Sequence, residues 1–264
     1  LVAYGHSSGD VVFDSSLPVS DVHASVNSSA VLYGRTFGLA GRSASVGVGL
    51  PYVWGSVQGE VAEEFRRITR SGLADARLRL AVNLLGGPAL EPLEFAQRRP
   101  RTTLGTSLTL QAPTGQYDPS KLINLGSNRW SLKPELGLSH PWGRLYLEVY
   151  AGAWLFTDND DFFGGQHRQQ DPIGALQLHV SYSFRPRLWV AGDATFYRGG
   201  GTTVAGVAKD DVQENSRLGL TAAFPLGRRQ SVKVSWASGF TTRFGGDFQT
   251  LAVAWQLLWF DRKK

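Results

Sequence analysis

The sequence predicts an all-β protein: a transmembrane, antiparallel, up-and-down β-barrel of about twelve strands. Three observations predict this fold. Segments of about ten residues alternate between apolar and polar positions. The connections between them are short turns and long loops in alternation. No run approaches the roughly 18 apolar residues of a membrane-spanning helix, whereas a barrel strand needs only alternate apolar residues.

The stretch WSLKPELGLSH, residues 130–140, shows the alternation most clearly. Leu136 and Leu138 occupy one set of positions, and Lys133 and Glu135 occupy the other. Successive side chains of a strand point to opposite faces. RLYLEVYAGAWLF follows after a short turn near 141–143, which predicts a hairpin. We therefore expect the leucines to face lipid and the charged pair to face the interior.

Ten further segments alternate in the same way. They are roughly 1–7, 21–36, 42–54, 73–85, 102–112, 173–185, 187–197, 215–226, 230–241 and 247–260. The long connections cover 8–20, 55–72, 113–129, 157–172 and 198–214. Barrels of this kind have short periplasmic turns and longer extracellular loops. Residues 86–101 form a longer connection on the short-turn side, where PALEPLEFAQ predicts one helical turn.

A soluble β-sandwich or a lipocalin-like barrel is the alternative, with the apolar faces turned inward. Two features favour the membrane. The charge-bearing faces also carry many Gly, Ala and Ser residues, as a crowded interior requires. Aromatic side chains gather towards strand ends on the apolar face, as in the girdles at the lipid headgroups. We expect a single domain over 1–264, with a polar tail at 261–264.

Composition excludes some classes of partner. The net charge is +5, but no Lys/Arg-rich run is interleaved with aromatics, so nucleic acid is not an expected partner. The absence of Cys fits an oxidising envelope compartment. The chain has no Met and begins at Leu1, which favours a removed export signal, although trimming of the sequence has the same appearance.

Several stretches resemble one outer-membrane family. They are SGLADARLRLAVNLLGGPAL, PTGQYDPSKLINLGSNRWSLKPELG, AWLFTDNDDFFGG, GGGTTVAGVAKDD and GRTFGLAGRSASV followed by LPYVWG. Together they are similar to the transporter family named for the MetA pathway of phenol degradation. The resemblance implies a Gram-negative outer-membrane barrel in contact with lipid and lipopolysaccharide. It also implies passive uptake of small molecules, among them aromatic or other hydrophobic compounds, and supplies no catalytic residues.

The polar faces predict a charged lumen. The residues expected to line a substrate path are Arg77, Arg79, Lys133, Glu135, Glu148, His179, Asp193, Arg217 and Lys233. Their basic surplus favours anionic solutes, and aromatic acids satisfy both this charge and the family resemblance. The alternatives are a structural or partner-binding barrel with a plugged lumen, its partner bound at the extracellular loops or the periplasmic side, and an outer-membrane lipid hydrolase.

Buried charges require partners. We expect Lys133 to pair with Glu135 or Glu148, and Asp75 to pair with Arg77 or Arg79. His23 and Arg35 fall in the same polar pattern and are expected to point inward. A hydrolase requires a Ser and a His that are hydrogen-bonded on the outer wall. The sequence places His23 near Ser25 and His179 near Ser181, only two residues apart, which is a poor spacing for direct contact.

Pro134 lies inside a predicted strand and lacks the N–H that a ladder requires. One hypothesis is a lateral opening through which an apolar solute leaves the lumen for the bilayer. The alternative is a local bulge that bends the strand.

The loop around Asp158, Asp160 and Asp161 is acidic. Its spacing does not match a calcium-binding loop, so a solvated acidic loop is the expectation, and loose divalent-cation binding is the alternative. No cofactor is expected.

Overall fold

The computed structural model describes residues 1–12, 19–61 and 64–260. The predicted tail at 261–264 lies outside the described residues. The elements, in chain order, are β1 Val2–Val12, β2 Val19–Leu39, β3 Arg42–Val61, β4 Glu64–Leu73, β5 Arg77–Leu85, α1 Pro92–Gln97, β6 Thr103–Gln111, β7 Ser131–Trp142, β8 Leu145–Phe156, β9 Asn159–Phe162, β10 Gln166–Gln170, β11 Ile173–Arg185, β12 Leu188–Gly199, β13 Thr202–Val204, β14 Val207–Ala208, β15 Gln213–Pro225, β16 Gln230–Thr241 and β17 Gly245–Leu257. Within the described residues, no helix is long and apolar enough to cross a membrane.

The wall is one antiparallel sheet that closes on itself. Neighbouring strands pair in the order β2-β1-β17-β16-β15-β12-β11-β8-β7-β6-β5-β3, and β2 then pairs with β3 to close the ring. β4 and β5 share one position, because β4 pairs with the outer part of β3 and β5 pairs with Ala44–Gly49. The ring therefore has 12 positions, and the predicted fold class is confirmed. Closure leaves no strand edge, which a structure surrounded by lipid requires.

The two faces of the wall have the chemistry that the alternation predicts. Leu136 and Leu138 are 55% and 45% exposed, while Lys133 on the same strand is 8% exposed. The buried apolar side chains of the described residues are few and mostly small. They are Val22, Ala24, Ala44, Ile173, Ala175 and Ala223. The large apolar side chains thus lie outside, and the soluble alternative with a greasy centre is wrong.

The short connections are tight turns at one end of the barrel. Ala40 and Gly41 join β2 to β3, and both have positive φ (46° and 73°). A two-residue turn with two positive φ angles suits the twist of a hairpin, and glycine adopts that conformation without steric cost. Helix α1 lies in the longer connection at this end, where one helical turn is predicted.

The long connections contain more strand than the sequence predicts. β3 and β4 continue as a paired hairpin through most of 55–72. The regions 157–172 and 198–214 contribute a separate four-stranded sheet, β14-β13-β10-β9. These segments lie beyond the lipid and lack a clear apolar alternation, so no period of two marks them as strands.

Replacement of Leu136 by Lys tests the lipid-facing assignment. Leu136 lies at the middle of β7 on the outer face, so we expect the variant to lose about 2–4 kcal/mol of unfolding free energy. Reversible urea unfolding in lipid vesicles measures this loss. The matched control is Ser181→Lys, on the inner face of β11 beside lumen acids, which we expect to cost less than about 1 kcal/mol. Equal losses for both variants would contradict the assignment.

Candidate functional site

All nine residues expected to line a substrate path lie on the inner face of the wall. On β5, for example, Arg77 and Arg79 pair with Gly49 and Gly47, whereas the intervening Leu78 pairs with the outward-facing Val48. The other predicted residues likewise occupy positions that alternate with lipid-facing side chains. They lie on β7, β8, β11, β12, β15 and β16. The charged positions therefore occupy one continuous arc of the lumen, from β5 to β16.

A three-residue ionic cluster stands on β5 and β7. Lys133 Nζ donates to Glu135, whose other carboxylate oxygen lies 3.5 Å from Arg79 Nη2. Ser107 bonds to both Arg79 (3.1 Å) and Glu135 (3.4 Å). Lys133 Nζ also lies 5.9 Å from the centroid of the Trp154 ring. Of the two partners expected for Lys133, the structure selects Glu135, because both side chains lie on one face of the same strand.

A second polar cluster lies on β8, β11 and β12. His179 Nδ1 hydrogen-bonds to Asp193, which also accepts from Thr221 at 3.4 Å. Tyr150 donates to Glu148 at 3.2 Å, and its ring meets the His179 ring edge-on at 5.5 Å. The Tyr150 ring passes over Gly137, where any Cβ would lie 2.4 Å from a ring carbon. Glycine at 137 therefore makes room for this aromatic residue inside the lumen.

The two clusters face a common cavity of about 560 Å³. Its lining includes Arg79, Glu135, Glu148, His179 and Asp193. Mixed charges on facing strands satisfy one another and leave this part of the lumen wet rather than apolar.

Three cations of the arc have neutral partners only. Arg77 Nε donates to the Gln111 side chain at 3.0 Å, and Arg217 Nη2 donates to the backbone carbonyl of Phe248 at 2.9 Å. Lys233 Nζ lies 5.5 Å from the Trp189 ring centroid. None of the three forms an ion pair with a residue in the described part of the chain. These cations give the lumen an uncompensated positive charge.

The opposite wall, formed by β17, β1, β2 and β3, has no charged side chain at the inward positions that the structure describes, and most of these positions are small. They include Ala3, Gly5, Ser28, Ala30, Ala252 and Ala254, together with the larger Leu32 and Phe248. The lumen therefore has two sides, one charged and one small and weakly polar. This asymmetry follows from the ring order, which places the first three strands next to the last one.

The loop 113–129 is pinned to its surroundings by two buried polar side chains. Asp75, which is 5% exposed, accepts hydrogen bonds from Gln111 Nε2, the Gly115 N–H, and both the N–H and hydroxyl of Ser127. The expected pairing of Asp75 with Arg77 or Arg79 is therefore wrong. Asp75 lies in the break between β4 and β5, where the alternation that placed it among the lumen charges does not apply.

Asn159 holds the other side of the same loop. Asn159 is only 2% exposed. Its side chain hydrogen-bonds to the Asn128 side chain, to the Tyr117 hydroxyl and to the Ser127 carbonyl. Loop 113–129 thus bridges the β4–β5 junction and the β9–β10 hairpin at the extracellular mouth. No local sequence motif marks Asn159, because its partners are about 30 to 40 residues away.

His23 and Arg35 do not face the lumen. On β2 both residues are an even number of positions from Val31 and therefore lie on the same face of the strand. Val31 is 60% exposed and pairs with the outward-facing Val2 and Leu50. The expectation that they point inward is wrong. His23 lies in the upper part of β2, where the outer face is polar, and Arg35 lies close to the short turn at 40–41, so charge alone does not distinguish inside from outside at either end of this strand.

His23 belongs to a polar cluster on the outer wall that the sequence did not predict. Its Nε2 lies 3.1 Å from the Ser8 hydroxyl, and its Nδ1 lies 3.0 Å from Asp10. A Ser–His–Asp order is that of a hydrolytic triad, which also needs donors for an oxyanion. Both backbone ladders of β1 are continuous across Ser7, Ser8 and Gly9, so they consume the N–H groups that could serve. Ser8 and Asp10 lie on β1 and His23 lies on β2, so only the β1–β2 register brings the three side chains together.

The acids of the β8–β11 connection have local partners. Asp158 and Asp160 flank the His167 ring, at 3.3 Å from Nε2 and 2.8 Å from Nδ1. The Asp161 backbone N–H donates to Asn159, and its carbonyl accepts from Tyr117. Across residues 1–12, 19–61 and 64–260, no three His, Cys, Asp or Glu side chains are arranged to hold a metal ion.

Pro134 interrupts one ladder and not the other. Pairing of β7 with β6 is continuous from Ser131 to Ser139 and includes Pro134 opposite Leu108. On the other side, Lys133 and Pro134 do not pair with β8. The pairs that flank this gap are Leu132↔Leu155 and Glu135↔Gly152. The register is the same on both sides of this gap, so no residue is inserted and the bulge alternative is wrong.

A closed ring with an apolar outer belt and a charged inner arc defines an outer-membrane β-barrel of a Gram-negative bacterium. The chain belongs to the family described as "Putative MetA-pathway of phenol degradation", whose model matches residues 5–257. The resemblance noted from the sequence is thereby confirmed. No curated protein matches the chain.

Solved structures share the fold. An outer membrane channel from Pseudomonas putida F1 is similar over 97% of this chain and 92% of that one, with 23% identity and a TM-score of 0.80. The NanC porin is similar over 98% of this chain and 100% of that one, with 9% identity and a TM-score of 0.50. At these identities the likeness concerns the barrel architecture.

Replacement of Asp75 by Ala tests the pinning of loop 113–129. Four hydrogen bonds to one buried carboxylate are lost, and bonds to charged groups contribute about 1.5–3 kcal/mol each. We expect trypsin to cleave after Lys121 at least about tenfold faster, because tenfold corresponds to only 1.4 kcal/mol of local opening. Asp10→Asn, in an exposed acid on the outer wall, is the control. An unchanged cleavage rate in the Asp75 variant would show that the loop is held by other contacts.

Proposed function

We propose that this protein is an outer-membrane channel for passive uptake of small molecules. The observation that carries the proposal is the two-sided lumen, with ionic clusters and uncompensated cations on β5–β16 and small uncharged residues on β17–β3. Side chains fill the lumen of an eight-stranded barrel, whereas barrels of 16–18 strands leave an aqueous channel. A 12-position ring lies between these limits and leaves room for a narrow path.

The substrate class that this lumen fits best is a small aromatic acid. Arg77, Arg217 and Lys233 offer positive charge that internal carboxylates do not neutralise. The small-residue wall opposite accommodates a ring without a requirement for hydrogen bonds. The family description, which refers to phenol degradation, agrees with an aromatic cargo. The solved channel and porin with the same fold support passage of solutes through the barrel.

A barrel with a plugged lumen is the second candidate, and one observation favours it. Loop 113–129 is fixed by Asp75 and Asn159 to two other segments at the extracellular end, as a loop that plugs the lumen would have to be. Conductance in a planar bilayer separates the two candidates: steady ion-permeable steps support the channel, and silence supports the plug. We do not propose hydrolysis at Ser8, because the surrounding backbone N–H groups are committed to the ladders.

Ion selectivity tests the role of the uncompensated cations. In the double variant Arg77→Gln, Lys233→Gln we expect the anion-to-cation permeability ratio to fall at least about twofold, because two of the three neutral-partnered charges are gone. Reversal potentials under a salt gradient measure the ratio. The control is Arg66→Gln, an exposed arginine on the β3–β4 hairpin that pairs with Glu64. A ratio that changes equally in the control, or in neither variant, would contradict the assignment.

We also propose that the gap beside Pro134 is a lateral exit for apolar solutes. By the register, Pro134 faces Ala153 across the seam, and the chain has no Cys. A disulfide between Pro134→Cys and Ala153→Cys would lock the seam. We expect oxidation to slow delivery of toluene from the barrel into the bilayer, and reduction to restore it, with ion conductance unchanged. The single variant Pro134→Cys is the control, and equal delivery in the oxidised and reduced states would reject the exit.

A further inference from the structure

Two arginines at the extracellular mouth remain outside the lumen charges described above. Arg129 ends loop 113–129 immediately before β7, and Arg168 lies on β10 of the four-stranded outer sheet. Both side chains are half-buried. Neither forms an ion pair with any residue that the structure describes.

Arg129 has an unused donor. Its Nη2 donates to the Gln170 side chain, but its Nη1 is buried and has no hydrogen-bond partner. It is the only such side-chain atom among the described residues. A buried donor of a charged group that has no partner is costly, because no hydrogen bond offsets its desolvation. The described part of the chain therefore does not satisfy all the donors of the Arg129 guanidinium.

The surroundings make this a cationic site with aromatic walls. The Arg129 guanidinium lies 4.4 Å from the Phe156 ring centroid, and the Arg168 guanidinium lies 4.9 Å from that of Phe162. Burial and the nearby charge of Arg168 lower the pKa of Arg129 to about 10. Burial also lowers the pKa of Arg168. Both groups stay protonated at neutral pH, so the site holds two desolvated positive charges.

Neither arginine forms an ion pair among the described residues, although two carboxylates lie close enough to attract them. Asp211 accepts from the Thr202 N–H at 2.7 Å and from its hydroxyl at 2.5 Å. Asp158 accepts from Gln169 Nε2 at 3.1 Å and faces His167. Gln170 itself is held in place, since its Nε2 donates to the Gly200 carbonyl at 2.9 Å. The oxygens of both acids are therefore engaged by other donors.

We infer that Arg129 and Arg168 form a capture site for the carboxylate of an aromatic acid at the channel entrance. The inference rests on the proposed function and names the solute that it selects. The carboxylate pairs with the two guanidinium groups, and the ring of the solute contacts the side of the site formed by Phe156 and Phe162. Arg77 and Arg217 then offer the next positive charges along the inner wall.

Titration calorimetry of the purified protein in detergent tests the site, with benzoate as the probe. We expect Arg129→Gln and Arg168→Gln each to weaken benzoate binding by at least about tenfold, because each removes a charge-assisted contact. Arg129→Lys keeps the charge but loses the planar fork, so its affinity should lie between those of the native protein and Arg129→Gln. Arg66→Gln is the control and should bind like the native protein.

Several results would overturn the inference. They are undiminished benzoate binding in both Gln variants, equal binding of the neutral benzyl alcohol, or displacement of benzoate by inorganic phosphate at similar concentration. Folding of each variant is checked by its heat-dependent migration in detergent gels, and the two separate positions guard against failure of one variant to fold.

Bilayer conductance of the same samples distinguishes the capture site from the proposed channel function. Conductance without benzoate binding rejects the capture site, and binding without conductance rejects the channel.

Discussion

The need to pair backbone N–H and C=O groups in the wall is the constraint on which the structure depends. A polar backbone group exposed to hydrocarbon costs several kcal/mol, so a sheet in lipid has to close. Closure occurs here through the pairing of β2 with β3, which completes the ring begun by β1 and β17. The environment of each side chain in the wall then follows from which side of this ring it faces.

The ring also decides how charge is tolerated. A narrow interior lowers the effective dielectric, so charges there need partners. The Lys133–Glu135–Arg79 and His179–Asp193 contacts meet that need. Five cations form no ion pair with a residue that the structure describes, and their charge is the physical basis of the proposed anion path. They are Arg77, Arg129, Arg168, Arg217 and Lys233. The same ladders limit other chemistry, since they use the N–H groups that hydrolysis at Ser8 requires.

The sequence predicted the side that a residue faces correctly where the strand alternates apolar and polar residues with a period of two. The alternation in β7 is enough to place Leu136 outside and Lys133 inside, because lipid on one face and water on the other enforce a period of two. It failed at Asp75, which lies in a break between strands, and at His23, where the strand rises above the lipid and its outer face is polar. It also missed Asn159 and Arg129, whose roles depend on partners from distant loops.

Local periodicity and contiguous motifs were enough to predict the fold class, a ring of about twelve strands, the lipid-facing side and the family. The folded chain alone shows which charges meet, how loop 113–129 is fixed to its neighbours, and which donor remains without an acceptor. Those properties arise from register across the ring and from contacts between loops far apart in the chain. Neither leaves a repeating signal in the order of residues.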